Sequence, residues 1–112
     1  MNDKLIQIIK NYGVEHQKRK LSEECSELRD AITEYELVTS SGVFRTSDET
    51  AALNHIIEEI ADVQVVLNQF KLFYRICDEC VVEEMMFKVN RTIDRMENEK
   101  ESEENEVIKE KA

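Results

Sequence analysis

The sequence predicts an all-α protein, a four-helix-bundle-like domain that a second copy of the chain completes. Its 112 residues include two glycines and no proline, whereas sandwiches and barrels of short strands need many such turn residues. Apolar residues also recur at the three- and four-residue spacing of a helix face. We predict a single all-α domain over residues 1–97 and an acidic, disordered tail over residues 98–112.

The first two helices are separated by Gly13. The apolar stretch 5–9 predicts a short helix that ends near this glycine, because glycine is unfavourable in a helix interior. The second helix is predicted from Val14 to about Leu37 by its helical periodicity. Its apolar face comprises Leu21, Cys25, Leu28, Ile32 and Tyr35.

Residues 38–48, rich in Ser, Thr and Gly, predict the loop between the two halves. A third helix, capped by Ser47 or Asp48, is predicted to end near Ile76. Two apolar faces on that helix are typical of a central or interprotomer position. A fourth helix is predicted to follow a break at Cys77–Cys80 and to end near Met96, with two helix-boundary cysteines before it. The main apolar face of the third helix comprises Ile56, Ile60, Val63, Leu67, Phe70 and Tyr74.

The composition excludes several function classes. A formal net charge of −10 argues against nucleic-acid binding, because that affinity comes mostly from Lys and Arg on phosphates. No apolar run approaches the ~20 residues of a membrane span, and the segment Met1–Lys4 lacks signal-peptide character. Three cysteines without such a signal predict no disulfide framework. The sequence therefore predicts a cytoplasmic protein with no membrane partner.

Two pairs of acidic residues share helix faces. Glu24 and Glu27 lie three positions apart on the second helix, as do Glu59 and Asp62 on the third. Glu24 and Glu59 project toward the apolar stripes, where a carboxylate is costly unless it is paired or binds a metal. Antiparallel packing of the two helices would bring the pairs together. Solvated surface acids are the alternative interpretation in so acidic a chain.

Four converging carboxylates suit a hard divalent cation, Mg²⁺ or alternatively Mn²⁺, together with a phosphorylated ligand. A ferritin-like di-iron site is disfavoured, since neither histidine lies three places after a Glu. Cations for the phosphates are available at Lys20, one turn before Glu24, and on the fourth helix. The latter group is Lys88, Arg91 and Arg95, which also fits a solvated basic stripe.

Segments 20–28 (KLSEECSEL) and 58–63 (EEIADV) resemble the signature of MazG-like all-α nucleoside triphosphate pyrophosphohydrolases. That signature is Glu-Glu-x-x-Glu followed, on a later helix, by Glu-x-x-Asp. Segment 87–95 (FKVNRTIDR) is similar to the basic segment on the family's last helix. The resemblance covers residues from about 14 to 96, with the longer interval between half-motifs accommodated by the 39–48 loop.

The resemblance implies hydrolysis of a nucleoside triphosphate between its α and β phosphates, by a homodimer or homotetramer. The implied Mg²⁺ ligands are Glu24, Glu27, Glu59 and Asp62. It also implies that Glu23 or Glu27 activates water and that phosphates are contacted by Lys20, Lys88, Arg91 and Arg95. Two alternatives stay open: a phosphoribosyl-ATP pyrophosphatase, and a helical interaction protein without enzymatic activity.

Overall fold

The computed structural model describes residues 1–40, Gly42 and residues 46–111. These residues form four helices and no strand, which confirms the all-α prediction. The chain divides into two units, Met1–Arg75 and Ile76–Ala112. The helices are α1 (Asn2–Tyr12), α2 (Val14–Ser40), α3 (Thr46–Phe73) and α4 (Asp78–Lys111).

Gly13 separates α1 from α2, as the sequence predicts. Its backbone φ of 88° lies in a region that residues with a Cβ rarely adopt. The Gly13 N–H donates to Ile9 O at 2.8 Å, and the Gln17 N–H donates to Gly13 O at 3.1 Å. The glycine thus ends one helix and begins the next without leaving these backbone groups unpaired.

The first unit is built on an antiparallel pair, α2 and α3. Buried positions on both helices recur every seven residues, the spacing of a helix–helix seam. Contacts across the pair run in antiparallel order, from Gln17 with Gln69 to Tyr35 with Glu49. The seam positions are Gln17, Glu24 and Ala31 on α2 and Ala52, Glu59 and Val66 on α3.

The apolar core of this unit is small. It consists of Leu5 and Ile9 from α1, Ala31 from α2, and Ala52 and Val66 from α3. Fully burying a side chain such as Ile9 contributes roughly 1.5–3 kcal/mol relative to leaving it exposed. Much of the seam is instead polar, which is unusual for the centre of a helix pair.

Several residues that the periodicity assigns to the core are exposed. Cys25 and Ile32 on α2, like Ile60 and Leu67 on α3, are exposed. Each lies one position beyond a seam residue, and one position rotates a side chain by about 100° around the helix. On each helix, the face that is buried therefore differs from the most apolar face by about one residue, and it includes the buried carboxylate.

The loop is shorter at both ends than the sequence predicts. α2 continues to Ser40, and α3 begins at Thr46, so Ser47 and Asp48 lie in its first turn. Ser41 and residues 43–45 lie outside the described part of the chain. α3 ends at Phe73, before the expected Ile76.

The second unit contains α4, which continues to Lys111 where the sequence predicts a helix end near Met96 and a disordered tail. The tail residues are mostly Glu and Lys without Gly or Pro, and such residues are good helix formers. Before α4, the Cys77 and Cys80 sulfurs pair as a disulfide, whereas the sequence predicts no disulfide framework. Cys77 Sγ also accepts a hydrogen bond from the Cys80 N–H at 3.2 Å.

Among the described residues, none of the helices combines the length and apolar character needed to cross a bilayer.

Candidate metal centre

The structure brings together the four carboxylates that the spacing singles out. Glu24 and Glu27 come from α2, and Glu59 and Asp62 come from α3. One oxygen of each residue lies within 4.8 Å of the corresponding oxygens of the others. Because each pair is three residues apart on its helix, antiparallel packing places both pairs at one level of the seam.

Burial divides the carboxylate cluster into two kinds of group. Glu24 is 4% exposed and Glu59 is 8% exposed, whereas Glu27 and Asp62 are exposed. Glu24 and Glu59 belong to the seven-residue seam, and their exposed partners lie one turn further along each helix. Two carboxylates of the cluster are therefore buried, and the other two are accessible to a ligand from solvent.

Each buried carboxylate has one paired and one unpaired oxygen. The Lys20 Nζ lies 3.0 Å from Glu24 Oε1, and the His55 Nε2 lies 3.3 Å from Glu59 Oε1. Glu24 Oε2 and Glu59 Oε2 are buried without a hydrogen-bond partner among the described residues. An unpaired buried carboxylate oxygen is strongly unfavourable. The two oxygens therefore fit a cation bound between α2 and α3.

The mutual repulsion of the carboxylates raises the pKa values of the two exposed ones. The negative charge of Glu24, followed by partial burial, raises the pKa of Glu27. Burial, followed by the charges of Glu24 and Glu59, raises the pKa of Asp62. The hydrogen bond with Glu24 raises the pKa of Lys20. The site thus concentrates negative charge that a divalent cation would offset.

The donor set consists of carboxylate oxygens, which suits hard, oxygen-seeking cations such as Mg²⁺, Mn²⁺ and Ca²⁺. No cysteine belongs to the cluster, and its histidine neighbour, His55, is engaged by carboxylates on both ring nitrogens. Zinc sites use mainly imidazole and thiolate ligands. The chemistry of the ligands therefore supports a hard divalent cation without distinguishing among those ions.

His55 is a site residue that sequence reasoning missed. Its Nδ1 lies 3.2 Å from Glu34 Oε2, and its Nε2 faces Glu59. The hydrogen bond with Glu34, more than any other interaction, raises the pKa of this imidazole. In metal sites, outer-shell partners of a ligating carboxylate orient that ligand. The sequence signal was the four-residue spacing between His55 and Glu59, which places both on one face of α3.

Other predicted site residues lie outside the carboxylate cluster. Glu23 is exposed on α2, beside a recess lined by His16, Arg19 and Lys20. Lys88, Arg91 and Arg95 are exposed on α4 in the second unit. Within that unit, the Arg91 guanidinium lies 5.6 Å from the centroid of the Phe87 ring. Within the first unit, the predicted phosphate contact Lys20 touches the cluster through Glu24.

A cavity of about 380 Å³ adjoins the cluster within the first unit. Glu24, Asp62 and Lys20 line it, as do the buried Gln17 and Gln69. Sequence reasoning missed both glutamines. Gln17 could have been found from the seven-residue spacing that it shares with Glu24 and Ala31.

Comparison of the chain with protein-family models, curated proteins and solved structures finds no match in any of the three. The function is therefore inferred from the residues and geometry of the site.

Proposed function

We propose that this protein is a Mg²⁺-dependent nucleoside triphosphate pyrophosphohydrolase of the MazG-like kind. It hydrolyses a ribo- or deoxynucleoside triphosphate between the α and β phosphates, giving the nucleoside monophosphate and pyrophosphate, in a house-cleaning role. The convergence of Glu24, Glu27, Glu59 and Asp62 carries the proposal. The motif resemblance supplies the reaction class.

The four carboxylates would hold the cation, with the unpaired oxygens of Glu24 and Glu59 as the buried ligands. A bound divalent cation supplies Lewis-acid stabilisation of charge that develops on phosphate oxygens. Lys20 adds a positive charge beside Glu24, at the edge where the phosphates would lie. These contributions offset the repulsion between a triphosphate and a chain of net charge −10.

The attacking water needs a group that orients it and accepts its proton. Glu27 is exposed and belongs to the cluster, a position that suits a general base. Glu23 lies outside the cluster. We therefore assign activation of the water to Glu27 and an accessory role to Glu23.

The remaining phosphate contacts in this proposal are Lys88, Arg91 and Arg95 of α4. They would reach the triphosphate from the same chain or from another protomer of a homodimer or homotetramer. Arg91 lies three residues after Lys88 and four residues before Arg95, so the three side chains share one side of α4.

Product analysis with a panel of nucleoside triphosphates tests the proposal. Monophosphate and pyrophosphate should form with Mg²⁺ and should not form with a chelator. Glu59→Gln should lower kcat/KM by more than the ~10–100-fold typical of losing an outer-shell partner. Glu58→Gln is the matched control, because Glu58 is an exposed neighbour outside the cluster. It should leave kcat/KM within about twofold of the wild-type value.

Two other results would replace the proposal. Turnover of phosphoribosyl-ATP with no turnover of deoxynucleotides would identify a phosphoribosyl-ATP pyrophosphatase. A folded protein that binds no divalent cation and hydrolyses no nucleotide would be a helical interaction protein, whose acidic surface serves solubility or a basic partner.

A further inference from the structure

The cavity beside the carboxylate cluster has a mixed lining. Glu24, Asp62 and Lys20 contribute charged groups, and residues such as Ile8 and Val65 contribute apolar side chains. Its volume of about 380 Å³ lies near the lower limit of small-molecule pockets, ~300–1,000 Å³. A ligand that matches this lining combines an uncharged body with a charged group directed at the cluster.

One wall of the cavity is aromatic. The rings of Tyr12 and His16 are stacked, with centroids 4.8 Å apart and an interplanar angle of 19°, and both residues line the cavity. The backbone conformation of Gly13 places the end of α1 beside the first turn of α2, which brings these rings together. Stacked, nearly parallel rings offer a flat surface to a planar heterocycle.

The interior carries a pair of buried carboxamides. Gln17 Nε2 donates to Gln69 Oε1 at 2.7 Å, and Gln69 is 1% exposed. Gln17 Oε1 lies 2.7 Å from His16 Nδ1, so that imidazole nitrogen is the donor. Both carboxamide oxygens thus have partners in the described part of the chain. Each oxygen already accepts one hydrogen bond, whereas each amide nitrogen keeps at least one N–H that a ligand can accept.

We infer that this cavity is the nucleobase subsite of the proposed enzyme, and that the Gln17–Gln69 pair selects bases whose edge presents a carbonyl oxygen. This inference rests on the proposed function, which supplies the triphosphate at the carboxylate cluster. Uracil, thymine and hypoxanthine carry a carbonyl where cytosine and adenine carry an amino group. An amino group facing amide N–H donors would leave buried polar groups unpaired, which a hydrogen-bonding site discriminates against strongly.

Matched substrate pairs test the selection. UTP and CTP differ in the group on C4, and ITP and ATP differ in the group on C6. In the wild-type protein, kcat/KM should favour the carbonyl member of each pair by at least about tenfold. The double substitution Gln17→Met with Gln69→Met removes both partners and keeps side-chain volume. It should bring each ratio close to one, with unchanged thermal unfolding as the control for folding.

The aromatic wall has its own matched control. Tyr12 is 58% exposed and Tyr74 is 56% exposed, but Tyr74 lies outside the cavity. Tyr12→Ala should raise KM for every base by roughly 5- to 150-fold, because stacking does not depend on base identity. Tyr74→Ala should leave KM within about twofold of wild type. Equal effects of the two substitutions would overturn the aromatic role of Tyr12.

A binding measurement separates failure of this inference from failure of the proposed function. Uridine 5′-monophosphate, added without metal, should shift the NMR signals of the Gln17 and Gln69 side-chain amides, and cytidine 5′-monophosphate should shift them less. Those shifts without any triphosphate hydrolysis would sustain the base subsite and reject the enzyme. Hydrolysis with base ratios that the double substitution leaves unchanged, or without these shifts, would overturn the subsite alone.

Discussion

Glu24 and Glu59 illustrate how one side chain can serve two opposing requirements. Each has one oxygen close to a side-chain nitrogen of Lys20 or His55 and a second oxygen buried without a partner in the described part of the chain. The paired oxygens lower the cost of burying each carboxylate between the helices. The unpaired oxygens destabilise the fold until a cation neutralises them. The cost of burial and the capacity to bind a divalent ion therefore have the same origin.

The carboxylate cluster predicts an unusual dependence of stability on pH. The pKa values of Glu27 and Asp62 are raised above the ordinary 4.5 and 3.8. The folded state therefore holds these protons more tightly than the unfolded state, so this contribution stabilises below the ordinary pKa and disappears as pH rises through the raised pKa. In chelator, the stabilisation that these two groups provide, and with it the Tm, should therefore fall as pH rises from about 4 toward neutrality.

Thermal unfolding in chelator across that pH range measures this contribution, and Glu27→Gln should flatten the fall. Glu36→Gln is the control, since Glu36 is exposed on the same helix outside the cluster. A wild-type Tm profile that matches the profile of Glu27→Gln would contradict the expected repulsion.

His55 should act on metal binding through Glu59. His55→Ala removes the imidazole that bridges Glu34 and Glu59, and the loss of an outer-shell partner lowers metal affinity by about 10–100-fold. Isothermal titration with Mg²⁺ or Mn²⁺ measures the change. Asn54→Ala, at the exposed neighbouring position, should leave the affinity unchanged. Equal affinities for His55→Ala and the wild-type protein would remove His55 from the site.

At the scale of elements, the junction of α1 and α2 depends on the conformation of Gly13. A Cβ built on Gly13 would meet no atom within 4 Å, so the effect of Gly13→Ala comes from the backbone alone. With φ at 88° and ψ at 159°, an alanine should cost about 1–3 kcal/mol in the free energy of unfolding. Urea denaturation measures it, and Asn11→Ala, in the last turn of α1, should change stability by less than about 0.5 kcal/mol. A neutral Gly13→Ala would show that another backbone conformation serves equally well.

The seam between α2 and α3 depends on small residues near the carboxylates. Ala31 is fully buried, seven residues after Glu24, so a larger side chain there would force the helices apart. Ala31→Leu should destabilise by about 1–3 kcal/mol and weaken divalent-ion binding as the carboxylates separate. Ala51→Leu adds the same atoms at an exposed position of α3 and should affect neither property. Unaltered stability and ion affinity in Ala31→Leu would show that the seam is not tightly packed there.

At the scale of the whole molecule, large apolar side chains stay exposed in both units. On α3 they include Ile57 and Ile60. On α4 they are Val82, Met85, Met86, Phe87, Val89, Ile93 and Met96. Such residues on several turns of a helix are typical of an interaction surface. We therefore retain the sequence-based prediction of a homodimer or homotetramer.

Light scattering coupled to gel filtration at micromolar concentration measures the oligomeric state. The mass should be two or four times the chain mass of 13.2 kDa. Met85→Glu with Val89→Glu should shift the protein toward smaller species, because two buried charges would oppose apolar association. Lys100→Glu, an exposed substitution on the same helix, should leave the mass unchanged. A wild-type monomer would contradict the prediction.

Local patterns in the sequence determined the all-α class, the helix break at Gly13 and the pairing of Glu24 with Glu27 and Glu59 with Asp62. These features depend on residue propensity and on spacing along one helix, so they can be read without knowing the packing. Helix ends were less predictable. α2 and α4 both extend beyond the expected residues, since helix-forming side chains continue without a strong stop signal.

Only the tertiary structure decided which helix faces meet. Periodicity pointed to Cys25 and Ile60, whereas packing buries their neighbours Glu24 and Glu59. It also joins His55 to Glu34 and Gln17 to Gln69 across the α2–α3 pair. Such contacts depend on the rotation and register of two helices, which a single helix's pattern does not specify. The sequence determined which chemical groups are present on each helix, and the packing determined which of them form one site.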